Sequence, residues 1–279
     1  MLTRGGLAAQ IRAVGTAAGM LALCACGPRD ADSDTAPAST PPAASVDQPP
    51  AKPAAPLSFA ETTADAEVKL SIDKAIGRWP ALHKGLYDGE VRALRIFAAT
   101  ARSDRAEMAS EDFQPPAYAD EIGWMVTAQS PRLLSLQRDE YVYTGGAHPN
   151  HASGAIIWDL RAQRPVKPSG LFVAGDDAAI DKALCDAIAA EKKARGTFDD
   201  WDRGTWPCPS WRSARFVLAP STEAGKFGGV TFLFDPYDIG PYAEGAYSAT
   251  LPWTTFRGVI APAWAGEFGG APKPSPSQT

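Results

Sequence analysis

The sequence predicts an α+β fold with a mainly antiparallel sheet. Three observations carry that prediction. Runs of period two and runs of helical spacing occupy separate stretches instead of alternating strictly. No glycine-rich crossover from strand to helix is present. Successive period-two runs are punctuated by turn signals, Pro131 and Gly145-Gly146, as a hairpin or meander requires.

Each element follows from its residues. Val68, Leu70 and Ile72 alternate with Glu67, Lys69, Ser71 and Asp73, which is a half-buried strand. From Pro80, suited to a first helical turn, Leu82, Leu86, Leu94, Phe97 and Ala101 fall at helical spacings. Gly85 and Gly89 weaken the early turns, so two short helices are as compatible as one, and Pro115-Pro116 ends the region. Ile122, Trp124, Val126 and Ala128 form the next strand, Leu134 to Tyr143 another, and Ala155 to Leu160 a third. Asp176 reads as an N-cap. Ile180, Leu184 and Ile188 repeat every four residues, Lys192, Lys193 and Arg195 suit the negative end of the helix dipole, and Gly196 stops it. Phe216–Leu218, Val230–Phe234 and Ser248–Leu251 are strands, and Trp253–Val259 is a short closing helix or turn.

The first residues read as an export signal. Arg4 and Arg12 precede a run from Ala13 to Ala25 that falls short of the ~20 apolar residues of a spanning helix. The run ends in Leu23-Cys24-Ala25-Cys26-Gly27, which resembles a bacterial lipobox with Cys26 as the lipidated residue. The plain alternative is a secretory signal cut after Ala25. Gly27, which is not acidic, favours the outer membrane, facing the periplasm. Residues 26–56 are dominated by Pro, Ala, Ser and Thr and are expected to be a disordered tether. Beyond it we expect an N-terminal α+β subdomain over 57–150, a C-terminal subdomain over 151–260 and a flexible tail over 261–279.

The formal net charge is −5, and removal of residues 1–25 takes away two arginines and no acid. An acidic domain is a poor nucleic-acid binder and a natural partner for a basic protein. Cys185 and Cys208 remain after export. In an oxidising compartment they are expected to pair, closing a loop that the entropic model values at roughly 3 kcal/mol; the alternative is two buried thiols.

Two stretches stand out. Tyr141 to His151 holds Gly145, Gly146 and two of the three histidines, His148 and His151, at a turn after a strand. Asp235 to Gly245 carries Tyr237, Pro241 and Tyr242. His148 is compatible with a general base, yet no Gly-x-Ser-x-Gly elbow accompanies it, and the bland reading is a ring that ties down the turn. Two histidines are too few for a zinc site, and His83 lies far off, so no metal or other cofactor is expected. Tyrosines among Gly and Pro make rigid binding loops or, equally, tight corners. Trp201, Trp206 and Trp211 flank Cys208; they either pack the loop onto the sheet or form a stacking platform for a sugar.

Taken together, Tyr143-Thr144-Gly145-Gly146-Ala147-His148, the following strand, Leu171-Phe172 before a helix, and Tyr237-Asp238-Ile239-Gly240-Pro241-Tyr242-Ala243-Glu244-Gly245 resemble a family of exported bacterial domains. That family includes the extracellular lysozyme-binding domain of the anti-sigma-V factor and the accessory domains of some peptidoglycan deacetylases. The resemblance covers roughly Leu57 to Val259. It implies an α+β fold and an envelope-anchored recognition role with a basic protein such as lysozyme, or peptidoglycan, as ligand. Tyr143, Gly145, Gly146, His148, Tyr237, Pro241 and Tyr242 would be the contact residues. It does not carry over sigma control, which needs a spanning helix and a cytoplasmic segment, or deacetylation, which needs a metal-binding catalytic domain. The competing expectations are an envelope hydrolase using His148 with a nearby carboxylate, and a saccharide-binding domain led by the three tryptophans.

Overall fold

The structure, a computed structural model, describes residues 54–199 and 201–274. The expected signal peptide, Cys26 and nearly all of the expected tether lie outside the described residues. Among those described, no helix is long and apolar enough to cross a membrane.

The chain builds two sheets. The first contains β1 (Ser58–Thr62), β2 (Ala66–Ile72), β3 (Tyr118–Gln129), β4 (Leu133–Tyr143), β5 (Asn150–Asp159) and β6 (Arg164–Pro165), in that spatial order. All neighbours are antiparallel except β2 and β3, which run parallel. That one parallel pair is allowed by a long crossover, the helix α1 (Pro80–Met108). α1 is a single helix. Gly85 and Gly89 sit on its exposed face, while Leu82, Leu86, Val91 and Leu94 pack against Val68, Leu70, Ile122, Trp124, Leu134 and Leu136. Burial of that face outweighs the low helix propensity of two glycines, so the expected break does not occur. The last tether residues are also fastened: the imidazole of buried His83 donates through Nε2 to the Pro56 carbonyl at 3.0 Å.

The second sheet is β7 (Arg215–Pro220), β8 (Phe227–Phe234) and β9 (Tyr247–Pro252), all antiparallel. After the one-turn α2 (Pro168–Leu171) comes α3 (Asp177–Arg195). The Asp176 side chain caps α3 by accepting from Ala179 N, and Gly196 ends it at φ 75°. Ile180, Leu184 and Ile188 pack with Trp211, Phe216, Phe232 and Phe256 in the second core. Cys185 on α3 and Cys208 in the following loop are joined by a disulfide, with Cα atoms 5.5 Å apart.

Three boundaries differ from the sequence reading. The division at residue 150 falls at the first residue of β5, inside a hairpin that pairs Val142 with Asn150, so the first sheet continues to Pro165. The short closing helix or turn expected over 253–259 is a 3₁₀ helix over the shorter range Trp253–Phe256, followed by a turn. The flexible tail begins too early. Trp264, Glu267 and Phe268 are buried, Phe268 bridges to Phe227, and Pro272 bridges to Ser221. Large apolar side chains anchor that stretch despite its Gly- and Pro-rich composition.

Candidate functional site

The two stretches singled out in the sequence meet. The loop between β4 and β5 carries His148, and the segment between β8 and β9 carries Tyr237 and Tyr242. His148 stacks on Tyr242 with centroids 3.8 Å apart and an interplanar angle of 22°. Tyr237 completes the cluster, 5.7 Å from Tyr242 and 6.4 Å from His148. The Nδ1 atom of His148 lies 2.9 Å from the Pro149 carbonyl, which only accepts, so the proton is on Nδ1. Nε2 faces the Tyr237 hydroxyl at 3.4 Å. Among the described residues no carboxylate bonds to His148, so the acid partner of the hydrolase expectation is not at the ring.

The local sequence explains the arrangement. Gly145 takes φ 82° against Pro116 and Tyr118, a conformation that L side chains avoid. Tyr237 also has positive φ, 76°, and is 53% exposed; its N–H donates to the Gly240 carbonyl at 3.1 Å. A strained residue held outward in this way is a common feature of binding sites. Asp235 fixes the loop to β5, accepting from the N–H and Oγ of Ser153 at 3.1 and 2.6 Å, and Arg215 pairs with both Asp235 and Asp238. Pro241 shapes the turn, its carbonyl accepting from Glu244 N at 3.0 Å. Tyr143 ends β4 opposite Ala119 and, among the described residues, has no ring contact with the cluster; Gly146 is exposed in the turn.

Sequence reasoning missed what lies beneath the loop. Lys192, read as a dipole partner, has a fully buried side chain that pairs with Glu244. Burial acts to raise the Glu244 carboxyl, but hydrogen bonds from Lys192 and Tyr247 outweigh it and hold the group below its ordinary range. A Cβ on Gly240 would come within 2.6 Å of Glu244 Oε2 and 2.8 Å of Lys192 Nζ, which is why glycine stands there. Helical position alone gives no sign of this pair, because its acid comes from a loop 52 residues later.

Next to the cluster a cleft of about 1120 Å³ opens between the sheets. β4 and β5 contribute Gln137, Asp139, His151 and Ser153; β8 and β9 contribute Leu233 and Thr250; Tyr242 and Glu244 line it from the loop. With Glu140, Glu191 and Asp235 also in the wall, acids far outnumber the single Arg195. His151 packs edge-on against Tyr141 at 5.4 Å, away from the ring stack of His148. Among the described residues, no group of three or more His, Cys, Asp or Glu side chains is placed to hold a metal ion.

The tryptophans do not form a platform. Trp211 is among the most deeply buried side chains and donates to Asp177 Oδ1 at 3.1 Å. Trp201 is buried and donates to the Trp206 carbonyl at 3.1 Å, and Trp206 packs against the second core. The structure therefore corrects the saccharide expectation at these three residues: their rings serve the core beside the disulfide.

The fold is that of an α+β protein with two sheets, and two stretches of its sequence match separate families. Residues 58–151 match the family described as deacetylase PdaC, and residues 170–254 match the protein family of unknown function DUF3298. Each match covers about a third of the chain, so each is a likeness of that segment. A solved DUF3298 family protein from Pseudomonas aeruginosa shares 21% identity, with TM-score 0.51 over 76% of this chain and 94% of that one. A DUF3298 family member from Bacteroides fragilis shares 19% identity, with TM-score 0.54 over 75% and 94%. At these identities the likeness is one of fold. No curated protein matches the chain.

Proposed function

We propose that this chain is a non-enzymatic recognition lipoprotein of the cell envelope that engages a basic protein of the lysozyme type. In this reading Cys26 carries the lipid, the tether lifts the domain from the outer membrane into the periplasm, and the 143–148 and 237–242 loops meet the ligand. One observation carries it: the His148–Tyr237–Tyr242 cluster joins, through Tyr242, the wall of an acidic cleft. Exposed rigid aromatics provide contact area at low entropic cost, and acidic walls attract a basic partner. The net charge of −5 supports the same polarity.

The test is calorimetric titration of the full chain with a c-type lysozyme at two salt concentrations. Saturable binding that weakens with salt is expected, and Tyr242→Ala is expected to weaken it about tenfold or more, as loss of a central aromatic does. No heat at either salt concentration removes the lysozyme-type partner.

A further inference from the structure

We propose that the cleft between the sheets receives a guanidinium group, the side chain of an arginine presented by the partner, held between the Asp139 carboxylate and the Gln137 carbonyl oxygen. The proposal rests on the basic-partner reading and names the subsite it would use.

Gln137 and Asp139 are two residues apart on β4, so both point to the face away from α1 and into the cleft. Gln137 is only 7% exposed. Its Nε2 donates to Asp139 Oδ1 at 2.8 Å. A carboxylate only accepts, so this bond fixes which end of the amide is which. The other end, Oε1, is buried and has no hydrogen-bond partner among the described residues. A buried carbonyl oxygen without a donor is costly, and native proteins rarely leave one unfilled.

The charge beside it is unfilled too. Glu140 pairs with Arg138, Glu191 with Arg195, Asp235 with Arg215 and Glu244 with Lys192. Among the described residues Asp139 forms no ion pair; the amide of Gln137 is its bonded neighbour. Arg195, the one arginine in the wall, does not serve Asp139. It is held by Glu191, by the Ala246 carbonyl at 2.8 Å and by the face of Tyr247 at 4.1 Å. An acceptor and an anion therefore sit side by side without a donor or a cation. A guanidinium is planar and always charged, and presents donors on three nitrogens, so it satisfies both at once; an ammonium is a compact point charge with less reach.

The test uses the full chain labelled with ¹⁵N and a tetrapeptide bearing one arginine, with its citrulline twin as the neutral isostere. Saturable shifts of the Gln137 side-chain amide are expected with the arginine peptide only. Asp139→Asn, which keeps an acceptor for Gln137, is expected to weaken that binding at least tenfold while leaving the melting temperature near that of the parent. Gln137→Leu is the second variant, read in the same way from the surrounding backbone amides. Equal binding of the citrulline peptide, no saturable shift, or full binding by Asp139→Asn each overturns the proposal. Lysozyme binding that is untouched by Asp139→Asn sinks the subsite and leaves the functional reading intact. Arginine-peptide binding with no lysozyme binding does the reverse.

Discussion

Asp120 illustrates what one residue does to this fold. It lies on the α1 side of β3, is 6% exposed, and its Oδ1 has no partner among the described residues. Burial and then the nearby Glu140 push its carboxyl up to about 6; Arg138 pulls the other way, and Glu90 adds a smaller push. The native state thus holds the proton more tightly than the unfolded chain does. Stability contributed by the neutral acid is complete below the ordinary Asp range and is lost as pH rises towards 6. Asp120→Asn is expected to stabilise the protein by roughly 1–3 kcal/mol at neutral pH and by nothing at about pH 4. Urea midpoints at the two pH values check this, and an equal gain at both would refute it. The sequence shows Asp120 in step with Tyr118, Ile122 and Trp124, hence on a buried face. It does not show that Glu90 comes over from α1 to bond Trp124 Nε1 and Arg138 at this level of the sheet. Lys192 is hidden for the same reason: burial of a charge depends on a partner that only tertiary packing supplies.

At the scale of elements, β8 is the strand with the least freedom. All eight of its residues are buried, and a side chain on Gly228 would run into the Ala271 carbonyl and Pro272. The C-terminal stretch lies there because Thr222 N donates to the Ala271 carbonyl and Lys273 N to the Pro220 carbonyl, each at 2.9 Å. Gly228→Ala is expected to cost about 1–3 kcal/mol, the usual price of overpacking. It is also expected to speed amide exchange at Thr222 and Lys273. Unchanged exchange at those amides would mean that the stretch is held elsewhere. Strand and helix patterns were legible wherever one face was apolar, as in β2, β3 and α3. The stretch after residue 260 was not, because its anchors, Trp264 and Phe268, follow neither helical nor strand spacing. β1 was hidden in the same way, being five residues of partly exposed edge.

At the scale of the whole molecule, the two family segments do not stand apart. The described residues fall in one compact unit. Ser135 Oγ accepts from Leu218 N at 2.8 Å, Ser130 Oγ donates to Glu267 at 2.6 Å, and Arg132 reaches the Ala263 carbonyl at 2.7 Å. Thermal unfolding is therefore expected as one transition, with equal calorimetric and van't Hoff enthalpies. Two separated peaks would show that each sheet melts by itself. The meeting of His148 with Tyr237 and Tyr242 was foreshadowed by the pairing of their motifs. The cleft was not, because it exists only where the two sheets part. The bond between Cys185 and Cys208 carries a last consequence. Should a protease nick the backbone anywhere between them, both fragments stay on one covalent thread. Such damage would be invisible by mass on a non-reducing gel and would show as two bands only once a thiol is added.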